Sequence, residues 1–117
     1  MTIASMVVPL RELKFGLGIQ NLTAGARDRL GFKEEGGVMI TDVASGSFAD
    51  DIGLQPRDII MAINRKPVNS VDDVRKIQGT LKPGDAVAFR VMRGLRGTRG
   101  EAQWNAVFAA GTLPANP

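Results

Sequence analysis

The sequence predicts a mainly β, α+β fold: a small, partly open antiparallel barrel of five or six strands, with one main helix and one or two short helices at its ends. Three observations predict it. Short runs of alternating apolar and polar residues are separated by turns rich in glycine and proline. One segment, opened by Ser70, has the three-residue apolar spacing of a well-formed amphipathic helix. Strands and helices do not alternate regularly, which argues against a doubly wound parallel sheet. With 117 residues and no internal repeat, the chain suits one domain with a single core.

Residues 1–13 read as a lead-in, flexible or partly paired. Leu17 to Leu22 reads as a strand, and Thr23 to Leu30 as a short helix ended by Gly31. Lys33 to Gly37 is a polar turn. The β-rich run Val38 to Val43 alternates imperfectly, which predicts a strand covered on both faces. The turn Ala44-Ser45-Gly46-Ser47 caps a short helix through Ile52 that stops at Gly53. After the turn Gln55-Pro56-Arg57, Asp58 to Ile63 reads as a buried strand, and Asn64 to Pro67 turns the chain. Ser70 opens the main helix with a capping box: its hydroxyl accepts from the Asp73 N–H, and Asp73 reaches back. Val71, Val74 and Ile77 form the apolar stripe, and Gly79 and Pro83-Gly84 end the helix. Val87, Phe89 and Val91 alternate against Ala88, Arg90 and Met92 in a half-buried strand. The segment from Arg93 to Gly100 reads as a loop. Trp104, Ala106 and Phe108 alternate against Asn105 and Val107 in a last strand, and residues 111–117 read as a flexible tail.

The chain has neither cysteine nor histidine. That excludes disulfides, thiolate and histidine metal sites, a cysteine nucleophile and a Ser-His-Asp triad within it. The pairs Asp50-Asp51 and Asp72-Asp73 are poor acid–base dyads, because helix neighbours in sequence do not face each other. Stabilisation of helix N-termini explains both pairs. No catalytic residue, metal or cofactor is expected. No run approaches the roughly 18 apolar residues of a membrane span, so no membrane insertion is expected, and the first nine residues are too short and uncharged for a secretory signal. The formal net charge of +3 owes much to Arg90, Arg93, Arg96 and Arg99. These read as a solvated hairpin; the alternative is an RNA-binding arginine-glycine tract. Nucleic-acid platforms add stacking aromatics, but this chain has no tyrosine and a single tryptophan in a strand-like run. Nucleic acid is therefore not an expected partner.

The most informative stretch is Phe15-Gly16-Leu17-Gly18-Ile19. A glycine loop feeding a strand turns backbone N–H groups inward as an anion-binding nest. If that strand lies at a sheet edge, its free backbone groups also pair with an incoming chain. Together these properties suit a grip on the end of a peptide. The same pattern also occurs where a strand merely bends or packs tightly.

The chain resembles a PDZ domain of the bacterial HtrA/Deg serine-protease type over residues 14–110. Three motifs carry the resemblance: Gly16-Leu17-Gly18-Ile19; the run Gly37 to Val43 continuing from Gly53 to Asn64; and Val68 to Ile77 followed by Lys82-Pro83-Gly84-Asp85 and the strand ending at Arg93-Gly94. The family often has Pro at the place of Phe48 and Gly at the places of Arg57 and Arg65, so those two turns are expected to differ. The early glycine loop and late Trp104 strand are similar to the permuted strand order of bacterial members.

The resemblance implies a groove between the 17–22 strand and the Ser70–Gln78 helix. Gly16, Leu17, Gly18 and Ile19 would hold a ligand carboxylate. Gln20, Asn21, Leu22, Ser70, Val71, Val74, Ile77 and Gln78 would line the groove, with Leu17 and Ile19 facing Val74 and Ile77 across an apolar pocket. Lys14 and Arg11 would add attraction for the carboxylate. The implied partners are polypeptide C-termini or unfolded segments with an apolar last residue, and a neighbouring protease domain. The implied parent is an HtrA/Deg-type serine protease of the periplasm or cell envelope. The alternative is a docking module of another envelope protease or a secretion component.

Overall fold

The structure, a computed structural model, describes residues 7–8, 15–32, 36–96 and 102–113. Local chemistry sets its helices. Ahead of α1 (Ala24–Leu30), Thr23 Oγ1 accepts the Ala26 N–H at 3.1 Å, and Gly31 closes the helix at φ 65°. Ser47 caps α2 (Phe48–Asp51) by accepting the Asp50 N–H. Ser70 caps α3 (Val71–Gly79), its Oγ accepting the Asp73 N–H at 3.4 Å. Asp73 Oδ2 in turn accepts the Asn69 N–H at 2.8 Å. The reciprocal half of the expected capping box is thus displaced by one residue.

One antiparallel sheet holds seven strands among the described residues. Its path runs through β1 (Val7–Val8), β2 (Leu17–Asn21), β3 (Val38–Val43), β4 (Ile59–Ile63), β6 (Ala86–Arg96) and β7 (Ala102–Thr112), with β5 (Lys66–Pro67) paired to β4 beside it. The two-residue strands β1 and β5 account for the excess over five. Among the described residues no pairing joins β1 to β7, so the sheet stays open. No described helix is long and apolar enough to cross a membrane.

The main core lies between the sheet and α3, where Phe15, Leu17, Ile19, Ile40, Val74 and Phe89 pack together. Apolar burial of this kind is the dominant favourable term in folding. A smaller cluster of Phe32, Ile59 and Met92 is joined by Leu22 and Trp104. The Trp104 ring meets Phe32 edge-on at 5.2 Å, and its Nε1 donates to the Leu30 carbonyl at 3.3 Å. In β3, Val38 and Ile40 are buried, Met39 and Thr41 are half-buried and Asp42 is exposed. Its second face is therefore covered only in part, not fully as the imperfect alternation predicts.

The turns that lack the family glycines keep a glycine-like backbone. Asn64 and Arg65 both take positive φ, 50° and 68°, in the two-residue hairpin between β4 and β5. This is the type I′ geometry that matches strand twist. Arg57 follows Pro56 at φ 76°, and the Asp58 N–H donates to the Gln55 carbonyl at 3.2 Å. That is the third position of a type II turn, where glycine is favoured. At both turns a residue other than glycine thus holds a conformation that glycine adopts more readily.

Two further expectations change near the C-terminus. Arg93 to Arg96 are not loop but the end of β6, with Gly94 opposite Trp104. A Cβ at Gly94 would lie 3.3 Å from the Trp104 ring. The tail does not begin at 111: Gly111 and Thr112 belong to β7, and Leu113 is buried. Leu113 donates to the Asp85 carbonyl and accepts from the Gly84 N–H. Residues 114–117 lie outside the described residues. In β7, Ala109 turns inward while Phe108 is 74% exposed.

Candidate functional site

Hydrogen bonds on the carbonyl side build the glycine loop. The Ala49 N–H donates to the Phe15 carbonyl at 2.9 Å, and the Ala44 N–H to the Gly16 carbonyl at 3.0 Å. Both carbonyls are thereby tied to the β3–α2 connection and the start of α2. Gly16 then turns the chain at φ 78° directly into β2. A Cβ at Gly16 would collide with the Ser47 Cβ and lie 2.8 Å from its Oγ. Conformation and space both require glycine there. At Gly18 a Cβ would come within 2.8 Å of Thr41 Oγ1. Gly18 pairs with Asp42 and Ile19 with Ile40, leaving Thr41 as the extra residue of a bulge. Such bulges locally bend a strand and redirect its backbone groups.

From this loop β2 runs past α3. Asn21 Oδ1 accepts the Val71 N–H at 2.8 Å, so the far end of the strand caps the helix. This satisfies one of the N–H groups that a helix start leaves without a partner. Between strand and helix, Leu17, Ile19, Val71, Val74 and Ile77 share one apolar cluster. Leu17, Ile19 and Val74 are fully buried, and Ile77 is nearly so. Gln20, Asn21, Ser70 and Gln78 are half-buried. Leu22 is not brought to this cluster; it packs with the group around Phe32, Ile59 and Met92. Lys14 and Arg11 lie outside the described residues.

The four residues expected to wall an apolar pocket are thus packed against the core. A surface cavity of about 240 Å³ opens instead between β5 and α3, lined by Lys66, Pro67, Asp73, Lys76, Ile77 and Thr80. No β2 residue lines it. Nor is β2 an open edge along its whole length. Val7 of β1 lies opposite Gln20 and Val8 opposite Ile19, in antiparallel register. Among the described residues, Leu17 and Gly18 have no β1 partner.

Sequence reasoning allowed a partly paired lead-in but did not place β1 on β2, and it missed the Asn21–Val71 bond. The first has a local signal in the β-branched pair Val7-Val8. The second joins residues fifty apart and has none. Reasoning also misassigned Arg93. Its Nε and guanidinium NH2 grip the two oxygens of buried Asp58 at 2.9 and 2.7 Å, and it donates to the Gly53 carbonyl at 2.9 Å. Asp58 Oδ2 also accepts the Gln55 N–H. The hydrogen bond to Asp58 raises the Arg93 pKa above its usual range. One arginine of the basic segment therefore fastens the 53–58 turn to β6.

Comparison with known proteins places this geometry in context. A family model described as PDZ domain matches residues 15–101. The periplasmic pH-dependent serine endoprotease DegQ of Escherichia coli is 30% identical over 95 residues, 79% of this chain and 21% of DegQ. A probable periplasmic serine endoprotease, DegP-like, of Bartonella henselae is 33% identical over 78 residues, 67% of this chain and 15% of that protein. The chain thus spans only a small part of these relatives. Among solved structures, the HtrA-type protease AlgW with a tripeptide superposes with a TM-score of 0.64 at 21% identity, covering 86% of this chain and 31% of AlgW. The HtrA3 PDZ domain bound to the phage-derived ligand FGRWV gives 0.53 at 20% identity, covering 80% of this chain and 83% of that one. At these identities the two structures establish a shared fold.

Proposed function

The chain belongs to the PDZ domain family, and from that premise we propose that it captures polypeptide C-termini, or extended internal segments, as an added strand beside β2. One observation carries the reading. The Gly16 turn, held by the Phe15 and Gly16 carbonyl bonds, opens straight into a strand that α3 flanks. In this reading the ligand carboxylate meets backbone N–H groups of Leu17, Gly18 and Ile19. Main-chain pairing supplies affinity, and side-chain contacts supply selectivity. An apolar last residue enters between Leu17, Ile19, Val74 and Ile77, which must part to admit it. The HtrA3 ligand, which ends in valine, supports that preference.

The relatives named as periplasmic serine endoproteases support a further step. This chain has no histidine or cysteine for catalysis. We read it as the substrate-recognition or regulatory part of an HtrA/Deg-type protease, working beside a protease domain in the periplasm or cell envelope.

Hydrogen bonds to a charged group are worth about 1.5–3 kcal/mol each, much of it offset by ordering the peptide. A Kd on the order of micromolar, about −8 kcal/mol, is expected. Fluorescence anisotropy with a labelled peptide ending in valine, as free acid and as amide, tests the mechanism. Losing one charged bond corresponds to weakening by roughly tenfold or more. Equal affinities would remove the carboxylate from the account.

A further inference from the structure

The β2 edge that would take a ligand already holds part of this chain. We infer that Val7-Val8 acts as an intramolecular ligand of the groove, which an incoming peptide must displace. The inference rests on the strand-addition reading above. Three features of the pairing carry it.

The first is position. In the sheet β2 has two neighbours, β3 on one side and β1 on the other. A backbone edge accepts one strand at a time, because each N–H and C=O that pairs with β1 is withdrawn from any other chain. The second is polarity. As β1 advances from Val7 to Val8, its partners retreat from Gln20 to Ile19, towards the glycine loop. A peptide whose terminal carboxylate rests at that loop must also run antiparallel to β2, in the same sense. The third is the chemistry that follows: the residue after Val8 is Pro9, which has no N–H to donate to the ladder. An internal segment also has no carboxylate to offer the nest.

β1 is thus a ligand of the right direction and β-branched apolar chemistry, short of the group that would complete it. A free C-terminus with an apolar end matches β1 in strand pairing and adds the carboxylate contacts. An internal segment has only the pairing that β1 already provides. Displacement costs both kinds of ligand the same factor, so the covered edge sets a threshold that the added carboxylate contacts of a true chain end help to exceed. The covering strand also protects a sheet edge that would otherwise be open to unintended pairing. A segment docked nine-tenths of the time lowers the apparent affinity of a competing ligand about tenfold.

The test compares the full chain with the full chain carrying V7G and V8G. Glycine weakens a strand without adding charge. The probes are the valine-ending free-acid peptide and an internal peptide of the same sequence, extended beyond the valine and amidated. The double variant is expected to bind both peptides about three- to tenfold more tightly, by the same factor. Hydrogen exchange gives a readout without ligand: the β2 amides that face β1 should exchange about tenfold faster in the variant, and those facing β3 should not. Equal peptide affinities and unchanged exchange would overturn the inference while leaving strand addition intact. Failure of both chains to bind either peptide would overturn the strand-addition reading, and the inference with it.

Discussion

Replacing Gly16 by alanine should damage the loop for two separable reasons, and the structure allows each to be sized. At φ 78° an alanine pays the left-handed penalty of about 1–2 kcal/mol. Its Cβ would also occupy the space of the Ser47 Cβ, and Ser47 caps α2. Displacing such a cap costs about 1 kcal/mol. Against these, alanine has less freedom to lose on folding, which returns about 0.5–1 kcal/mol. The net expectation for G16A is a loss of about 1.5–2 kcal/mol. Urea denaturation measures it, and with a typical slope the midpoint should fall by about 1 M. S47G removes the opposing Cβ at a cost of only a few tenths, roughly, because glycine is a tolerable cap. In that background G16A should cost about 1 kcal/mol or less, leaving a coupling near the size of the clash. A G16A midpoint within about 0.2 M of the parent, or an undiminished penalty beside S47G, would refute the reasoning.

Other predictions follow from the turns and the buried ion pair. Arg57 and Arg65 hold positive φ, so R57G and R65G should each raise stability by about 0.5–1 kcal/mol, and their effects should add. Thermal melting checks both, and a loss of stability in either would contradict the turn assignment. R93M would leave the Asp58 carboxylate buried without its bidentate partner. It should cost about 3 kcal/mol, with R93K recovering only part because an ammonium cannot match the fork. The Arg93 pKa is raised, so the arginine's share of this stability is fully present below its ordinary value. It is lost only above the raised value, and the R93M deficit should carry no arginine titration between about pH 5 and 8.

Features with local causes were legible in the sequence. Thr23 with Gly31, Ser47, and Ser70 with the Val71–Val74–Ile77 stripe all act within a turn or two of themselves, and each helix forms where they direct it. The turn at Gly16 and the close approach at Gly18 were legible as demands for glycine, although the pattern alone does not separate a peptide grip from a strand that bends or packs tightly. What escaped was set at long range. Gly94 reads as a loop residue, yet it lies opposite the Trp104 ring across a strand pair. Arg93 reads as solvated, yet its partner Asp58 is 35 residues away. Leu113 reads as tail, yet its two backbone bonds reach Gly84 and Asp85. Leu22 continues the strand pattern by composition, but it packs with the second cluster, beyond the end of β2 at Asn21. The covered β2 edge belongs to the same class, because pairing partners are chosen by the sheet and not by their neighbours in sequence.

The central claim is that a peptide end is held at the Gly16 loop and along β2, opposite α3. Amide NMR of the chain, titrated with the valine-ending free-acid peptide, locates the contact residue by residue. The account predicts the largest shifts at Leu17, Gly18, Ile19 and Gln20, with smaller ones along Val71 to Gln78. Shifts gathered instead around the Lys66–Lys76 cavity, with the glycine loop unmoved, would contradict it.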